Sequence, residues 1–251
     1  MREHTPPQGA QAALRALRLL KLFTPEQPDL HLAEISQRAG LNKTTAHRLL
    51  QALTSEALLD RNPGSGAYRL GPALMALGVQ ALACNGLRLK ARPLLKRLAE
   101  DTGETATLEV QVDDMMLILD EVTGGRFLGA GGNVGTRWPL HATSTGKALL
   151  AYDALAVSQL AESLPALTPR TITARTDLES QLVEVRARGY AETIDELEDG
   201  FTGVGTVVRG TDGEVLAAIS VCGPTQRMSA ERRARLGATL CKAAQTLQPG
   251  A

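Results

Sequence analysis

The order of apolar and polar residues between Leu32 and Ser55 constrains the fold more than any other stretch of the chain. Leu32, Ile35 and Ala39 recur at helical spacing and stop at Gly40, where a positive φ costs little. Asn42 then stands in position to cap a helix from Lys43 to about Ser55, whose Ala46, Leu49, Leu50 and Leu53 follow the i, i+3, i+4, i+7 pattern. Its other side offers Lys43, Thr44, Thr45, His47, Arg48 and Gln51. Small Ser36 lies four residues before Gly40, where two crossing helices must come close. An earlier amphipathic run, Ala12 to Phe23, places Leu14, Leu17 and Leu20 on one side and is stopped by Thr24-Pro25. Two short helices, a tight turn and a third helix with a donor-rich outer face predict a helix-turn-helix.

Leu58–Arg61 and Ala67–Leu70 then read as short strands around Asn62-Pro63-Gly64-Ser65-Gly66, a hairpin in the position of a wing. The 251 residues carry 27 Lys/Arg and 27 Asp/Glu, a balance that by itself argues against nucleic-acid binding. The average hides an asymmetry. Residues 1–71 hold nine basic against six acidic side chains, which leaves 18 against 21 for the rest. A mildly basic head on an acidic body suits DNA recognition. The competing reading, a helical interaction domain with a solvated polar face, leaves the ordered succession of turn, recognition face and wing unexplained.

Pro72 opens a broadly apolar helix, Ala73 to Asn85, which has no compact partner nearby and therefore predicts a linker that packs against a second subunit. Arg88 to Asp101 continues as an amphipathic helix ended by Gly103. Ala106–Val112 and Met115–Val122 read as a hairpin across Asp113-Asp114, and Val204–Val208 and Val215–Val221 as further strands. Thr145–Tyr152, Asp177–Arg188 and Ser229–Leu247 read as helices. The body is thus an α+β sheet with helices on its faces, a scaffold able to hold a small ligand. The longest apolar stretches are shorter than the ~20 residues of a spanning helix, and Met1–Gln11 has no apolar core of a signal peptide. A cytoplasmic chain without membrane association is expected.

Catalytic and metal motifs fail individually. Three cysteines (Cys84, Cys222, Cys241) and four histidines are scattered, so neither a disulfide framework, a metal site nor a cofactor is predicted. Thr143-Ser144-Thr145-Gly146-Lys147 only partly matches a phosphate loop, since His141 replaces the leading glycine and Ala148 follows the lysine. Gly129 to Val134 lacks the last glycine of a dinucleotide fingerprint. His141 and Ser144 lack a nucleophile elbow and an acidic orienter, so His141 reads as structural. The run Asp195–Asp199 reads as a solvated loop. The alternatives to a DNA-binding regulator are a small-molecule-processing enzyme, or a ligand-sensing module with a vestigial head.

Across nearly the whole chain the residues resemble the IclR family of bacterial transcriptional regulators. The resemblance rests on Leu-Ala-Glu-Ile (32–35), Gly-Leu-Asn-Lys-Thr-Thr-Ala-His-Arg-Leu-Leu (40–50), Tyr-Arg-Leu-Gly (68–71), Pro-Leu-His-Ala-Thr (139–143), Gly-Lys-Ala-Leu-Leu-Ala (146–151), Arg-Gly-Tyr (188–190) and Ala-Ile-Ser-Val-Cys-Gly-Pro (218–224). It implies a winged-helix head over residues 1–72, a dimerisation linker over 73–86 and a GAF-like effector domain over 87–251. A homodimer or homotetramer on a pseudo-palindromic operator follows from the same resemblance. Exposed helical positions and the family pattern together assign Lys43, Thr44 and wing residue Arg61 to phosphates, and Thr45, His47 and Arg48 to bases.

The effector implied is a small carboxylate. Backbone amides of Ser144 and Thr145, at the start of a helix, are where members binding small 2-oxo acids hold the acid group. The rest of that pocket, an Asp, a Cys and two Ser, corresponds here to Thr193, Gly203, Ser220 and Cys222, of which only Ser220 is kept. Ala130, Trp138 and Thr206 are expected to line it as well. These replacements predict a larger, less polar cavity and a bulkier acid, aromatic or branched.

Overall fold

The computed structural model describes residues 10–125 and 133–248 and divides the chain into two compact units, Met1–Cys84 and Asn85–Ala251. In the first unit α1 (Gln11–Leu20), α2 (Leu32–Arg38) and α3 (Lys43–Ser55) precede the antiparallel pair β1 (Leu59–Arg61) and β2 (Tyr68–Leu70), and α4 (Pro72–Ala83) follows. The core joins Leu19, Phe23, Leu30, Ile35, Leu49, Leu50, Leu53, Leu59 and Tyr68. The apolar stripe of α1 is thus Ala16, Leu19 and Leu20, continued by Phe23 just beyond the helix, and the expected Leu17 is 57% exposed. The helix also ends at Leu20, before the expected Phe23.

The turn between α2 and α3 is fixed by short-range chemistry. Gly40 has φ +61°, and Ser36, buried, donates its hydroxyl to the Leu41 carbonyl at 2.6 Å. Asn42 Oδ1 accepts from the Thr45 amide at 2.8 Å and caps α3. Leu30 and Tyr68 exchange backbone bonds of 2.9 and 2.8 Å, which ties the segment after α1 to the wing. No residue of α4 is buried, and Met75, Leu77 and Val79 are more than half exposed.

The second unit begins with α5 (Gly86–Thr102), capped by Asn85 and ended by Gly103, with Pro93 inside it. β3 (Thr105–Val112) and β4 (Met115–Val122) follow, then β5 (Arg137–Pro139), a 3-10 turn at Leu140–Ala142, α6 (Ser144–Leu150), α7 (Ala154–Gln159), α8 (Arg175–Arg188), β6 (Ala191–Ile194), β7 (Phe201–Arg209), β8 (Val215–Pro224) and α9 (Ala230–Gln245). The six strands form one antiparallel sheet in the order β5-β4-β3-β8-β7-β6. β5, β6 and α7, none of them expected, are short, and β5 and β6 are the two edges. On one face Met116, Leu140, Ala148–Leu150, Leu178, Leu182, Val185, Val207 and Ala218 make the principal core with α6 and α8. Among the described residues no helix is long and apolar enough to cross a membrane.

One buried ion pair stands beside that core. Lys147 on α6, with no exposed surface, donates to both carboxylate oxygens of Glu196 at 2.7 and 2.5 Å. Burial lowers the Lys147 pKa, and the Glu196 charge opposes that shift. Glu196 therefore belongs to the interior, so the acidic run is only in part the solvated loop expected, with Glu198 and Asp199 exposed. Asp195 also accepts from the Thr225 hydroxyl at 2.5 Å and the Gly200 amide at 3.0 Å. Removing one partner strands the other charge, so Lys147→Met should destabilise the unit by about 3–5 kcal/mol, and Lys147→Met with Glu196→Met should recover most of the loss. Urea unfolding followed by fluorescence of Trp138, the chain's one tryptophan, checks this; an unchanged midpoint for Lys147→Met contradicts it.

Candidate functional site

On α3 the candidate residues separate by helical phase. Thr44 and Arg48, four apart, are exposed on one face, while Lys43 and His47, also four apart, share another. Lys43, His47 and Arg61 are brought together with His31, Ser65 and Tyr68 around a concavity of about 340 Å³ between α3 and the wing. Arg61 donates to the Gly66 carbonyl at 3.2 Å and lies 5.6 Å from the Tyr68 ring centroid, which holds the guanidinium beside that concavity. His47 is half-buried there, and its Nδ1 is enclosed without a hydrogen-bond partner among the described residues. It does not stand outward beside Arg48. Thr45 is half-buried, one position from the exposed Thr44.

In the second unit residues from three cross-strand rows line the floor of a cavity of about 430 Å³. Register places Thr193, Gly203, Cys222 and Thr105 side by side on successive strands; Gly205, Ser220, Thr107 and Glu121 form the next row, and Val207, Ala218, Glu109 and Ile118 the third. The third row exists because β4 carries one extra residue opposite the Leu108/Glu109 step, which turns Ile118 toward Glu109. The start of α6 closes the cavity from above, with Thr143, Ser144 and Thr145 in its lining, and Trp138, Leu197 and Phe201 add apolar surface.

The helix start reaches the sheet because β7 has glycines there. A Cβ on Gly205 would stand 3.0 Å from the Thr145 amide, and one on Gly203 would meet Ser144 Oγ at 2.8 Å and Thr193 Oγ1 at 3.2 Å. The space left by Gly203 is thus taken by the Ser144 side chain and does not widen the cavity as expected. Thr143 Oγ1 accepts from the Gly146 amide at 3.1 Å, so the amides of Ser144 and Thr145 are the ones without an acceptor inside α6.

The polar groups of the floor form one chain. Ser220 Oγ lies 2.7 Å from Thr107 Oγ1, Thr107 donates to Glu109 Oε1 at 2.7 Å, and Thr145 donates to Glu109 Oε2 at 2.7 Å. Glu109 is 6% exposed. Burial raises its pKa most, the hydroxyls of Thr145 and Thr107 pull it down, and Glu121 raises it further. Glu121, Glu198 and Glu109 all line the cavity, and its described lining contains no Lys, Arg or His. Burial first, and then the charges of Glu109, Glu121 and Glu104, push the Cys222 thiol well above its ordinary pKa, so it is no reactive thiolate.

Seven of the residues expected from sequence, Trp138, Ser144, Thr145, Thr193, Gly203, Ser220 and Cys222, line this cavity. Ala130 lies outside the described residues. Thr206 does not line it: three residues beyond Gly203 on a strand, it faces the opposite side of the sheet, and its hydroxyl donates to the Gly189 carbonyl at 2.7 Å. Glu109, Thr107 and Glu121 were not anticipated. The available signal was the alternation Thr105, Thr107, Glu109, Gln111 inside a run that otherwise reads as apolar. His141 is buried, with Nε2 2.9 Å from the Pro165 carbonyl, and Lys147 is committed to Glu196, so neither serves a nucleophile or a phosphate. Among the described residues no group of three His, Cys, Asp or Glu is placed to hold a metal.

Comparison with known proteins matches both units of the chain. Residues 12–63 match the IclR helix-turn-helix domain, and residues 79–248 match the bacterial transcriptional regulator IclR C-terminal domain. The HTH-type transcriptional regulator BhcR of Paracoccus denitrificans is 36% identical over 245 residues, covering 96% of this chain and 88% of its own. An IclR transcriptional regulator from Alicyclobacillus acidocaldarius superimposes with a TM-score of 0.77 at 30% identity, over 94% of this chain and 97% of its own. An IclR homologue from Microbacterium hydrocarbonoxydans, solved with 4-hydroxybenzoate, gives 0.71 at 28% identity, over 94% and 97% of the two chains. With a helix-turn-helix head, a curled α+β second unit and family matches across both, the chain belongs to the IclR family of DNA-binding transcriptional regulators.

Proposed function

We propose that this regulator's hold on DNA is set by a small organic acid bound in the cavity beneath α6, and that it works as a homodimer or a dimer of dimers on a pseudo-palindromic operator. The observation that carries the reading is a cavity with convergent polar groups in the same chain as an exposed, donor-rich recognition helix. Residues 1–72 are the head, 73–86 the linker and 87–251 the effector domain. The exposed Met75, Leu77 and Val79 of α4 are covered by a second subunit, since an apolar helix of this kind is not left in water. Effector control then requires that two states of the dimer bind the ligand unequally, with α4 as the coupling element.

At the operator Lys43, Thr44 and Arg61 take phosphates, with His47 beside Lys43 and Arg61 in the same concavity, while Thr45 and Arg48 reach base edges. The effector's carboxylate docks on the amides of Ser144 and Thr145, and its body lies against Trp138, Thr193, Ser220 and Cys222. An aromatic or branched acid fits a cavity of about 430 Å³, and the 4-hydroxybenzoate held by the Microbacterium homologue supports that class.

Duplexes selected from random DNA by the full-length protein provide the operator for a gel-shift test. Arg48→Ala should cost about 1–3 kcal/mol and relax the preference at one position. Lys43→Ala should weaken all sequences alike and lower the salt slope by about one. Equal affinity and selectivity for wild type, Arg48→Ala and Thr45→Ala contradict the assigned face. A thermal-shift screen of carboxylate metabolites tests the effector, because a ligand at about 100 times its Kd stabilises by about 2.7 kcal/mol. An acid that stabilises the protein and leaves operator affinity untouched contradicts effector control.

A further inference from the structure

We infer that the cavity selects an acid that also presents a hydrogen-bond donor, a hydroxyl or an ammonium, to Glu109. The inference rests on the reading of this cavity as the effector site and narrows its ligand. Glu109 is a carboxylate buried on the floor, directly below the start of α6. An ionised carboxylate has about four acceptor sites. Thr107 and Thr145 fill one on each oxygen. The two floor hydroxyls next to it are committed in the same chain, since Thr107 donates to Glu109 and must therefore accept from Ser220. Glu198 also lines the cavity and adds a further acceptor. Around Glu109 the described floor thus offers acceptance, and what complements it there is donation from the ligand. A plain apolar acid would set its charge near Glu109 and leave the remaining lone pairs of a desolvated carboxylate unmet.

A different use of the same residue is distinguishable. Were Glu109 protonated, with Glu121 on β4 raising its pKa and Thr107 on β3 and Thr145 on α6 lowering it, it would itself donate to a plain acid. Binding of that acid would then strengthen as pH falls.

Isothermal titration of the full-length protein with two matched series decides between them. One series is 3-phenylpropanoate, phenyllactate, phenylalanine and phenethylamine; the other is 4-methylpentanoate, 2-hydroxy-4-methylpentanoate, leucine and isoamylamine. In at least one series the hydroxy acid or amino acid should bind about tenfold or more tightly than the plain acid. Glu109→Ala should collapse that preference to about twofold or less. Glu109→Gln, of the same shape and the variant to use if Glu109→Ala does not fold, should keep a preference for the hydroxy acid and lose one for the amino acid. A plain acid that binds as tightly as its donor-bearing partners, a preference that survives Glu109→Ala, or plain-acid binding that strengthens from about pH 8 to about 5.5 would overturn the inference. An amine that binds as tightly as the amino acid would support the Glu109 contact and overturn the organic-acid reading. No binding by any member would overturn both.

Discussion

The second unit depends on the contact between the start of α6 and the floor of the sheet. Glu109 ties β3 to α6 through the Thr145 hydroxyl, and Gly203 and Gly205 let Ser144 and Thr145 come within contact distance of β7. A Cβ on Gly205 would stand 3.0 Å from the Thr145 amide, so a larger residue there must shift the helix start by a few tenths of an ångström, while one on Gly203 would first displace the Ser144 hydroxyl. Lys147, one turn further along α6, fixes the same helix to Glu196. The cavity is therefore the space that remains when a helix is pinned at both ends of its first turn over three cross-strand rows.

This arrangement places an energetic cost in the cavity proposed to hold the effector. A carboxylate kept almost wholly out of water is unfavourable to the folded state at neutral pH, and hydroxyl bonds offset only part of that cost. Stability sacrificed in a binding cavity is what a site selected for recognition shows, because a ligand that supplies the missing partners regains it on binding. The head follows the opposite logic. Its caps and turn are satisfied within a few residues, by Asn42, Ser36 and Gly40, and its outward groups are left exposed for a partner that brings phosphates and base edges.

The head was legible in sequence because its signals are local. Gly40, Asn42 and the spacing of Ala46, Leu49, Leu50 and Leu53 each act within one or two turns, and all hold in the structure. The phase of α1 was misjudged because Leu14, Leu17, Leu19 and Leu20 allow two stripes, and packing against Ile35 and Leu50 chooses the one through Leu19. The sheet was only half legible. β5 and β6 have three and four residues and owe their existence to neighbours distant in sequence. The cavity floor is a matter of register among strands from 105 to 222, which no single segment encodes. Thr206 shows the limit from the other side, since the period of two counted from Gly203 already puts it on the far face. Glu109 was missed because one charge inside Ala106–Val112 does not change the reading of an apolar strand.

The claim that Glu109 is a carboxylate held at a cost is tested most directly by comparing the thermal unfolding of wild type and Glu109→Gln as a function of pH. A carboxyl whose folded-state pKa is raised contributes stability that is present below its unfolded value, near 4.5, and is lost as pH rises through the folded value. Glu109→Gln should therefore unfold at a higher temperature than wild type at about pH 7, with the gap closing as pH falls toward about 4.5. A variant less stable than wild type at neutral pH, with the deficit shrinking in acid, would mean that the charged group stabilises the fold and would contradict the account.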